Sequence, residues 1–194
     1  MGHASDFFSV AKTICETISY EQIDNLAEQL VALRDRKGRL FLIGVGGSAA
    51  NCSHAVNDFK KLCSIRAFTP LDNVAELTAR INDEGWDTVF ANWLQEVGLN
   101  DDDALLILSV GGGSLIRQVS SNIVKAIDFA TTCGAQVFGI VGKDDGYTAL
   151  NGDLVVVVPE VSPAWVTPLS EAFQALVWHC LVSHSLLQTK PTKW

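Results

Sequence analysis

Two short apolar runs in this chain are each followed at once by a glycine-rich turn. Residues 40–43 (LFLI) lead into residues 44–48 (GVGGS), and residues 104–108 (ALLIL) lead into residues 109–114 (SVGGGS). A short apolar run bounded by glycines is typical of a strand buried on both faces of a parallel sheet. Each turn is followed by a segment with helical periodicity. This repeated strand–turn–helix unit indicates an α/β fold.

Helices and strands alternate along the rest of the sequence. Helices are predicted over residues 4–36, 49–61, 72–80, 87–97, 115–132 and 165–187, and strands over residues 40–43, 65–68, 104–108, 136–141 and 154–158. Such alternation predicts a parallel sheet with helices on both faces, in which ligands bind beyond the carboxyl ends of the strands. We expect a three-layer, flavodoxin-like α/β fold in one domain over residues 1–194.

The first predicted helix is long, and its apolar stripe has no evident core of its own to cover. Exposed apolar stripes of this length usually pack against partners. We therefore predict that residues 1–38 are an N-terminal helical segment used in oligomerisation, and that residues 39–194 form the α/β core.

Composition and charge exclude several classes of protein. Hydrophobic residues make up 48% of the chain and charged residues 19%, which is typical of a globular protein and not of a disordered one. A net charge of −8 without a basic run argues against direct nucleic-acid binding and against binding to an anionic membrane. The apolar runs are too short to cross a bilayer, the N-terminus lacks the features of a signal peptide, and the five cysteines form no CxxC pair. We expect a cytoplasmic protein with free thiols and no membrane partner.

The second glycine turn has the properties of a phosphate site. Gly111, Gly112 and Gly113 let backbone amides approach an anion without a Cβ atom in the way. Ser109 and Ser114 add hydroxyl donors, and a helix that begins directly afterwards would add the positive end of its dipole. The same turn would also arise if the glycines served only to allow positive φ angles. A nucleotide-binding Rossmann unit is disfavoured because GxGxxG and GxxxxGK[ST] are both absent, so we expect no nucleotide cofactor.

A second group of residues has the composition of a metal site or an acid–base site. His54 and Asp58 are four residues apart on a predicted helix and share one face. Glu171 and His179 lie eight residues apart on or before the last helix. Two imidazoles and two carboxylates suit Zn²⁺ or another divalent cation, and they also suit proton transfer between adjacent carbons of a sugar. The spacing alone equally fits a surface His/Asp pair and a core histidine at position 179.

Residues 44–54 (GVGGSAANCSH), 77–90 (LTARINDEGWDTVF), 106–114 (LILSVGGGS) and 142–146 (GKDDG) carry four motifs in one order. The first resembles the GNGGSAAD…QH motif of sedoheptulose 7-phosphate (phosphoheptose) isomerases, and the second resembles their LTA…ND.G…VF segment. The third stands where that family has a GISTSGNS phosphate loop, and the fourth resembles its TGKDGG turn. The resemblance runs from about residue 7 to residue 187, and it implies the fold of sugar isomerase (SIS) domains.

The resemblance implies roles for individual residues. The family's active centre contains a histidine and a glutamate on one helix, and a glutamine and a histidine on the last helix can join them around a metal. The matching metal ligands, for Zn or another divalent ion, are His54, Asp58, Glu171 and His179. The predicted substrate- and phosphate-binding residues are Ser48, Asn51, Asp83, Ser109, Gly111, Gly112, Gly113 and Ser114. The resemblance also implies a homo-tetramer with sites shared between subunits.

The chain departs from the family pattern at several of these positions. Asp58 replaces the glutamate and shortens the reach by one methylene group, and Glu171 replaces the glutamine and adds a negative charge. Val45 and Asn51 replace an asparagine and an aspartate of the first loop. Val110, Gly111 and Gly113 replace hydroxyl or amide side chains of the family's second loop. The second loop therefore keeps backbone donors and loses side-chain donors, and heptose activity does not follow from the resemblance.

We expect an aldose–ketose phosphosugar isomerase, with sedoheptulose 7-phosphate as one candidate substrate. A carboxylate or an imidazole would remove a proton beside the carbonyl, an enediolate would form, and the proton would return to the neighbouring carbon. Asp58 and His179 are the acid–base candidates, while His54 and Glu171 would orient them or bind the metal. The alternative is a non-catalytic phosphosugar-binding or regulatory protein, related to the family members that bind the bacterial replication initiator.

Overall fold

A parallel sheet of five strands forms the centre of the structure, a computed structural model that describes residues 2–193. The strands are β1 (Arg39–Gly44), β2 (Arg66–Phe68), β3 (Ala104–Ser109), β4 (Gln136–Val141) and β5 (Leu154–Val157). Their order across the sheet is β2-β1-β3-β4-β5, and every neighbouring pair is parallel. The direction of strand addition reverses between β1 and β3, which makes the carboxyl ends of these two strands the expected ligand site.

Helices cover both faces of the sheet. Those that the structure describes are α1 (His3–Thr17), α2 (Tyr20–Asp35), α3 (Gly47–Cys63), α4 (Val74–Glu84), α5 (Val89–Glu96), α6 (Ser121–Thr132), α7 (Tyr147–Asn151) and α8 (Val166–Val182). Leu40 and Leu42 of β1 pack with α1, α2, α3 and α8, while Phe41 and Ile43 pack with α5 and α6 on the opposite face. This alternation confirms the predicted three-layer α/β fold. Within residues 2–193, no helix is both long enough and apolar enough to cross a bilayer.

The predicted helix over residues 4–36 is two helices. The chain is extended at Ile18, and the Ser19 side chain accepts a hydrogen bond from the Gln22 amide, which caps α2. The apolar stripe of α2 is buried in this chain's own core, at Ile23, Leu26, Ala27, Leu30 and Leu33. The expectation that this stripe lacks a core is therefore wrong for α2. In α1 only Ile14 is buried, and Phe8 is 71% exposed.

The predicted helix over residues 115–132 begins six residues late, at Ser121. Before it, residues 114–119 form a tight reversal, here called the 114–119 hairpin. The Ser114 amide donates to the Val119 carbonyl at 2.9 Å, and the Val119 amide donates back at 3.2 Å. Gln118 and Ser120 have positive φ angles of 50° and 51°, which a helix does not allow. The short helix α7 was not predicted, and α8 ends at Val182 and not at residue 187.

Candidate functional site

The two glycine loops lie at the same edge of the sheet. β1 and β3 are neighbours, and Gly44 is in register with Leu108, so the turns that follow both strands start side by side. A Cβ atom at Gly44 would lie 2.8 Å from the Leu108 carbonyl oxygen, so only glycine fits there without a shift. The structure thus brings the two loops together at the switch point of the sheet, where the sequence predicts them.

The second glycine loop is anchored by α7. The Thr148 amide and hydroxyl donate to the Gly112 carbonyl at 2.9 and 2.7 Å, and the Tyr147 amide donates to the Gly113 carbonyl at 2.8 Å. The buried Ser109 hydroxyl accepts from the Gly112 amide at 2.9 Å. Within the part of the chain that the structure describes, the Gly111 and Gly113 amides have no acceptor. The loop therefore has two unpaired amides on a fixed backbone, of which Gly111 is exposed and Gly113 is buried.

Tyr147 fixes α7 to the neighbouring helix. Its hydroxyl donates a hydrogen bond of 2.5 Å to the Asp128 carboxylate of α6. This hydrogen bond, together with burial and the negative charge of Asp128, raises the pKa of Tyr147 above its usual value. Tyr147 therefore stays a neutral donor at physiological pH, and the anchor of the second glycine loop is retained.

The late start of α6 changes the expected phosphate cradle. The dipole of α6 begins at Ser121, so it does not act at Ser114. The Ser114 hydroxyl accepts a hydrogen bond from the Arg117 amide at 3.2 Å and so supports the 114–119 hairpin. Ser48, the predicted ligand of the first loop, is 1% exposed in the first turn of α3. In a single chain, Gly111 of the second loop is exposed, whereas Ser48 is buried.

Two basic side chains line a cavity beside the second glycine loop. The cavity has a volume of about 330 Å³ and lies between the loop, the 114–119 hairpin and the turn at residues 143–146. Arg117 comes from the hairpin, and Lys143 comes from the turn. Sequence reasoning missed both as ligand groups, because Arg117 falls inside a predicted helix and Lys143 is one residue of a motif. Their basic charge beside a glycine turn is the signal that could have identified them.

Helices α3 and α8 lie side by side and run in the same direction. At the start of α3, a Cβ atom at Gly47 would lie 2.5 Å from Oε2 of Glu171. One turn later, Asn51 Nδ2 donates to the Glu171 carbonyl at 3.0 Å and to Gln174 Oε1 at 3.2 Å. Another turn on, the His54 ring meets those of Trp178 and His179. Asn51 therefore ties the two helices together, although it was predicted to bind substrate.

Three of the four predicted metal ligands come together between these helices. His54, Asp58 and His179 each offer a ligand atom, and these atoms lie within 4.8 Å of one another. His54 Nε2 is 3.7 Å from Asp58 Oδ2, and His179 Nδ1 lies 2.8 Å from the Ala175 carbonyl oxygen. A proton on Nδ1 would be donated to that oxygen and would leave Nε2 of His179 free to bind a metal. Two imidazoles and one carboxylate, with both histidines exposed, fit a Zn²⁺ site that keeps an open position.

The fourth predicted ligand, Glu171, lies elsewhere. Its carboxylate contacts Gly47 at the first glycine loop, eight residues before His179 in α8. Within residues 2–193, the group whose ligand atoms lie within 4.8 Å of one another contains His54, Asp58 and His179 but not Glu171. The structure therefore places Glu171 with the loops and not with His54 and His179.

Asp83 is also separate from the other predicted residues. It lies on α4, it is exposed, and its carboxylate accepts a hydrogen bond of 2.7 Å from Asn82. Across residues 2–193, no hydrogen bond or ion pair joins Asp83 to the loops or to the His54–Asp58–His179 cluster.

The loops and the histidine cluster are distinct places on one chain. His54 is seven residues after Gly47 in α3, which corresponds to about 10 Å along the helix axis. The arrangement can hold an anion at the loops, and it can hold a metal or transfer protons at the cluster. A ligand that contacts both places must be extended and must carry its negative charge at one end.

Comparisons with known proteins agree with this architecture. The family model described as "SIS domain" matches residues 6–142. The lincomycin biosynthesis protein LmbN of Streptomyces lincolnensis is 32% identical over 155 residues, which cover 76% of this chain and 56% of LmbN. A phosphoheptose isomerase of Helicobacter pylori (strain P12) is 27% identical over 175 residues, with 84% of each chain covered. The match thus spans little more than half of LmbN, whereas it spans most of the Helicobacter protein.

A solved structure also matches this chain over most of its length. The phosphoheptose isomerase GmhA from Neisseria gonorrhoeae superimposes with a TM-score of 0.78 at 25% sequence identity. The superposition covers 92% of this chain and 94% of that chain, so the two share their whole architecture and not only the sheet.

Proposed function

Because this chain belongs to the SIS domain family, we propose that it is a phosphosugar isomerase, with sedoheptulose 7-phosphate as the first substrate to test. The observation that carries the proposal is that helix α3 begins beside the second glycine loop, the predicted anion site, and carries a group of acid–base side chains. Gly47 begins that helix beside both glycine loops, and His54 and Asp58 follow on the face towards α8. Relatives named phosphoheptose isomerase support the choice of substrate class.

The geometry suits proton transfer between neighbouring carbons. Starting from the ketose, a base takes a proton from C1, the C–H electron pair becomes the C1=C2 bond of an enediolate, and an acid protonates the oxygen on C2. Return of a proton to C2 and loss of the proton from the oxygen on C1 give the aldose. Asp58 and His179 are the acid–base pair in this proposal, since they lie within 4.8 Å of one another. His54 orients Asp58 across their 3.7 Å contact.

A divalent metal fits the same cluster. His54, Asp58 and His179 would hold it, and a bound Zn²⁺ or similar ion would supply positive charge to stabilise the enediolate oxygens. Glu171 is outside this group and would instead face the part of the substrate near the first glycine loop.

We also propose a cytoplasmic homo-tetramer. The cluster is open to solvent, with the His54 side chain 59% exposed, and a second chain could close it. An apolar depression of about 450 Å³ lies between the end of α1, the start of α2 and α8, and includes His179 and the half-exposed Leu176. Burial of this depression between subunits would exclude water beside the cluster. All five cysteines are free thiols, as a reducing compartment would keep them.

A second candidate function is binding of a phosphosugar without turnover. Asp58 in place of a glutamate, and the position of Glu171 away from His179, favour this candidate. The two functions differ in the fate of the ligand and not in the ligand itself.

One experiment separates the two candidates. The purified chain is incubated with ketose and aldose phosphates, including sedoheptulose 7-phosphate, with and without added Zn²⁺, and the sugars are followed by NMR. Interconversion by the unaltered chain and by His184→Gln, but not by His179→Ala, supports isomerase activity. His184 pairs with Asp24 and lies outside the cluster, so it serves as the matched control. Binding without interconversion under all conditions would support the second candidate.

A further inference from the structure

The 114–119 hairpin holds a cation at the entrance of the second glycine loop. Arg117 and Lys143 line the same cavity of about 330 Å³, together with Gly111 and Gly113. The amides of these two glycines have no acceptor within residues 2–193. Two basic side chains and two unpaired amides thus line one space together with the Asp145 carboxylate, in a chain whose net charge is −8. This is the composition of a site for a compact anion.

The two cations differ in how firmly they are held. Lys143 is in close contact with the Glu160 carboxylate, and both side chains are only about one-third exposed, at 34% and 33%. Arg117 Nη2 lies 3.9 Å from Asp145 Oδ2, and these side chains are 73% and 67% exposed. An exposed ion pair at that separation contributes little, so an incoming anion can displace the Asp145 carboxylate from Arg117. Arg117 is therefore the cation that is free to exchange its partner.

Side-chain donors are scarce in this loop. Val110, Gly111 and Gly113 have no hydroxyl or amide side chain. The Ser109 and Ser114 hydroxyls accept from the Gly112 and Arg117 amides, so each of them has one O–H left to donate. Backbone amides bind an anion but do not distinguish strongly between one negative charge and two. A guanidinium group adds a full charge and can form two parallel hydrogen bonds to phosphate oxygens.

We propose that Arg117 determines specificity for the phosphate end of the ligand, by leaving Asp145 and pairing with the phosphate oxygens above the Gly111 and Gly113 amides. The choice of a phosphate monoester rests on the proposed function, whereas the site itself rests on the cavity and its charges. Asp145 competes for Arg117, so the two residues have opposite effects on affinity. Lys143 contributes charge from a fixed position.

The test uses inorganic phosphate as the probe, with titration calorimetry on the full chain at low ionic strength. Arg117→Gln should weaken phosphate binding about tenfold or more, since it removes a charge-assisted pair. Arg117→Lys should recover part of that loss. Asp145→Asn should strengthen binding about threefold, because it removes the competing carboxylate. The matched control is Arg66→Gln, which removes the same charge at the exposed amino end of β2 and should leave affinity unchanged.

Several outcomes would overturn the proposal. The first is that the unaltered chain does not bind phosphate. The second is that Arg117→Gln binds phosphate with an affinity within twofold of the unaltered chain, and the third is that Arg66→Gln loses as much phosphate affinity as Arg117→Gln. Unchanged or weaker binding by Asp145→Asn also overturns it, and this variant decides the question even if Arg117→Gln does not fold. The readout needs no turnover. If the variants show this pattern of phosphate binding but the chain isomerises no sugar, the isomerase function is refuted and the Arg117 site stands. If the chain isomerises a sugar phosphate but the variants do not show the pattern, only the Arg117 site is refuted.

Discussion

The rings of His54 and His179 meet edge to face, with their centroids 5.4 Å apart. Trp178 holds both of them in place. Its ring stacks on His179 at 3.5 Å and meets His54 at 4.7 Å, and the residue is fully buried. The two imidazoles therefore depend on one aromatic side chain of the core, although they come from different helices.

Loss of either imidazole should remove zinc binding. We expect His179→Ala to weaken Zn²⁺ affinity at least 100-fold, because changes to partners of metal ligands already cost about 10- to 100-fold. His184→Gln should leave affinity unchanged. Competition with a chromogenic chelator measures both variants. Equal zinc affinity of His179→Ala and the unaltered chain would rule out this cluster as the metal site.

A longer carboxylate at position 58 should raise any isomerase activity on sedoheptulose 7-phosphate. Asp58→Glu restores the reach that a glutamate has, and a misplacement of about 1 Å can cost about 100-fold in rate. We expect an increase in kcat of about 10-fold or more for Asp58→Glu, and loss of turnover in Asp58→Asn, as followed by NMR. A decrease in Asp58→Glu would show that the site is built around the shorter side chain.

A side chain at Gly112 should destabilise the chain, whereas a side chain at the neighbouring Gly111 should be tolerated. Gly112 has a φ of +70°, and a Cβ atom there would lie 3.3 Å from the Thr148 Cβ. We expect Gly112→Val to lower the free energy of unfolding by about 1–3 kcal/mol and to weaken phosphate binding. Gly111→Ala is the control, since no heavy atom lies within 4 Å of its Cβ position and its φ is not positive. Urea denaturation distinguishes them, and equal stabilities would contradict the backbone argument.

The apolar depression beside His179 should be a subunit interface. Light scattering at micromolar concentration should give a tetramer for the unaltered chain and smaller species for Leu176→Glu. Leu176 is 53% exposed in the single chain, so a carboxylate there should not affect the fold of the subunit. Leu150→Glu, at a residue that is 70% exposed on α7, should remain a tetramer. A monomeric unaltered chain would disprove the tetramer.

Cysteine reactivity should follow burial. Burial raises the pKa of the Cys63 thiol to about 12, and it raises that of Cys52 further. At pH 8 these thiols carry almost no thiolate, so iodoacetamide should modify them only after unfolding. Burial and the charge of Asp24 also raise the pKa of the Cys180 thiol, which lines the apolar depression together with Cys15. Peptide mass spectrometry gives the order, and fast labelling of Cys52 in the native chain would contradict the packing.

The strands and both glycine loops could be predicted because their signal is local. An apolar run with glycine at its end is a buried strand in almost any parallel sheet, and β1 and β3 follow that rule. His54 and Asp58 could also be paired from their spacing, since four residues bring side chains onto one face of a helix.

The helices predicted over residues 115–132 and 4–36 have wrong bounds because the apolar pattern of each segment does not show where its residues are buried. Leu115, Ile116 and Val119 have helical spacing, yet they are 63%, 96% and 55% exposed on the 114–119 hairpin. The break at Ile18 is hidden because apolar residues keep the same period on both sides of it. Spacing within a helix gives no information on which helix lies beside it.

Glu171 shows this limit most clearly. The sequence gives the eight-residue spacing between Glu171 and His179. The contact of Glu171 with Gly47, however, arises from the parallel packing of α3 and α8. That packing depends on the tertiary arrangement of the core, which motif matching does not include.

The length of the second loop is independent of the sheet. The pairing of β3 with β4 ends at Ser109 and Val141, and α6 begins only at Ser121. Residues 114–119, which follow the glycines anchored to α7, can therefore gain, lose or exchange charges without shifting a strand. In evolutionary terms, this segment allows ligand preference to diverge between descendants of one ancestor at little cost in folding. A library of loops inserted between Gly113 and Ser120 would be the corresponding route to new specificities in the laboratory.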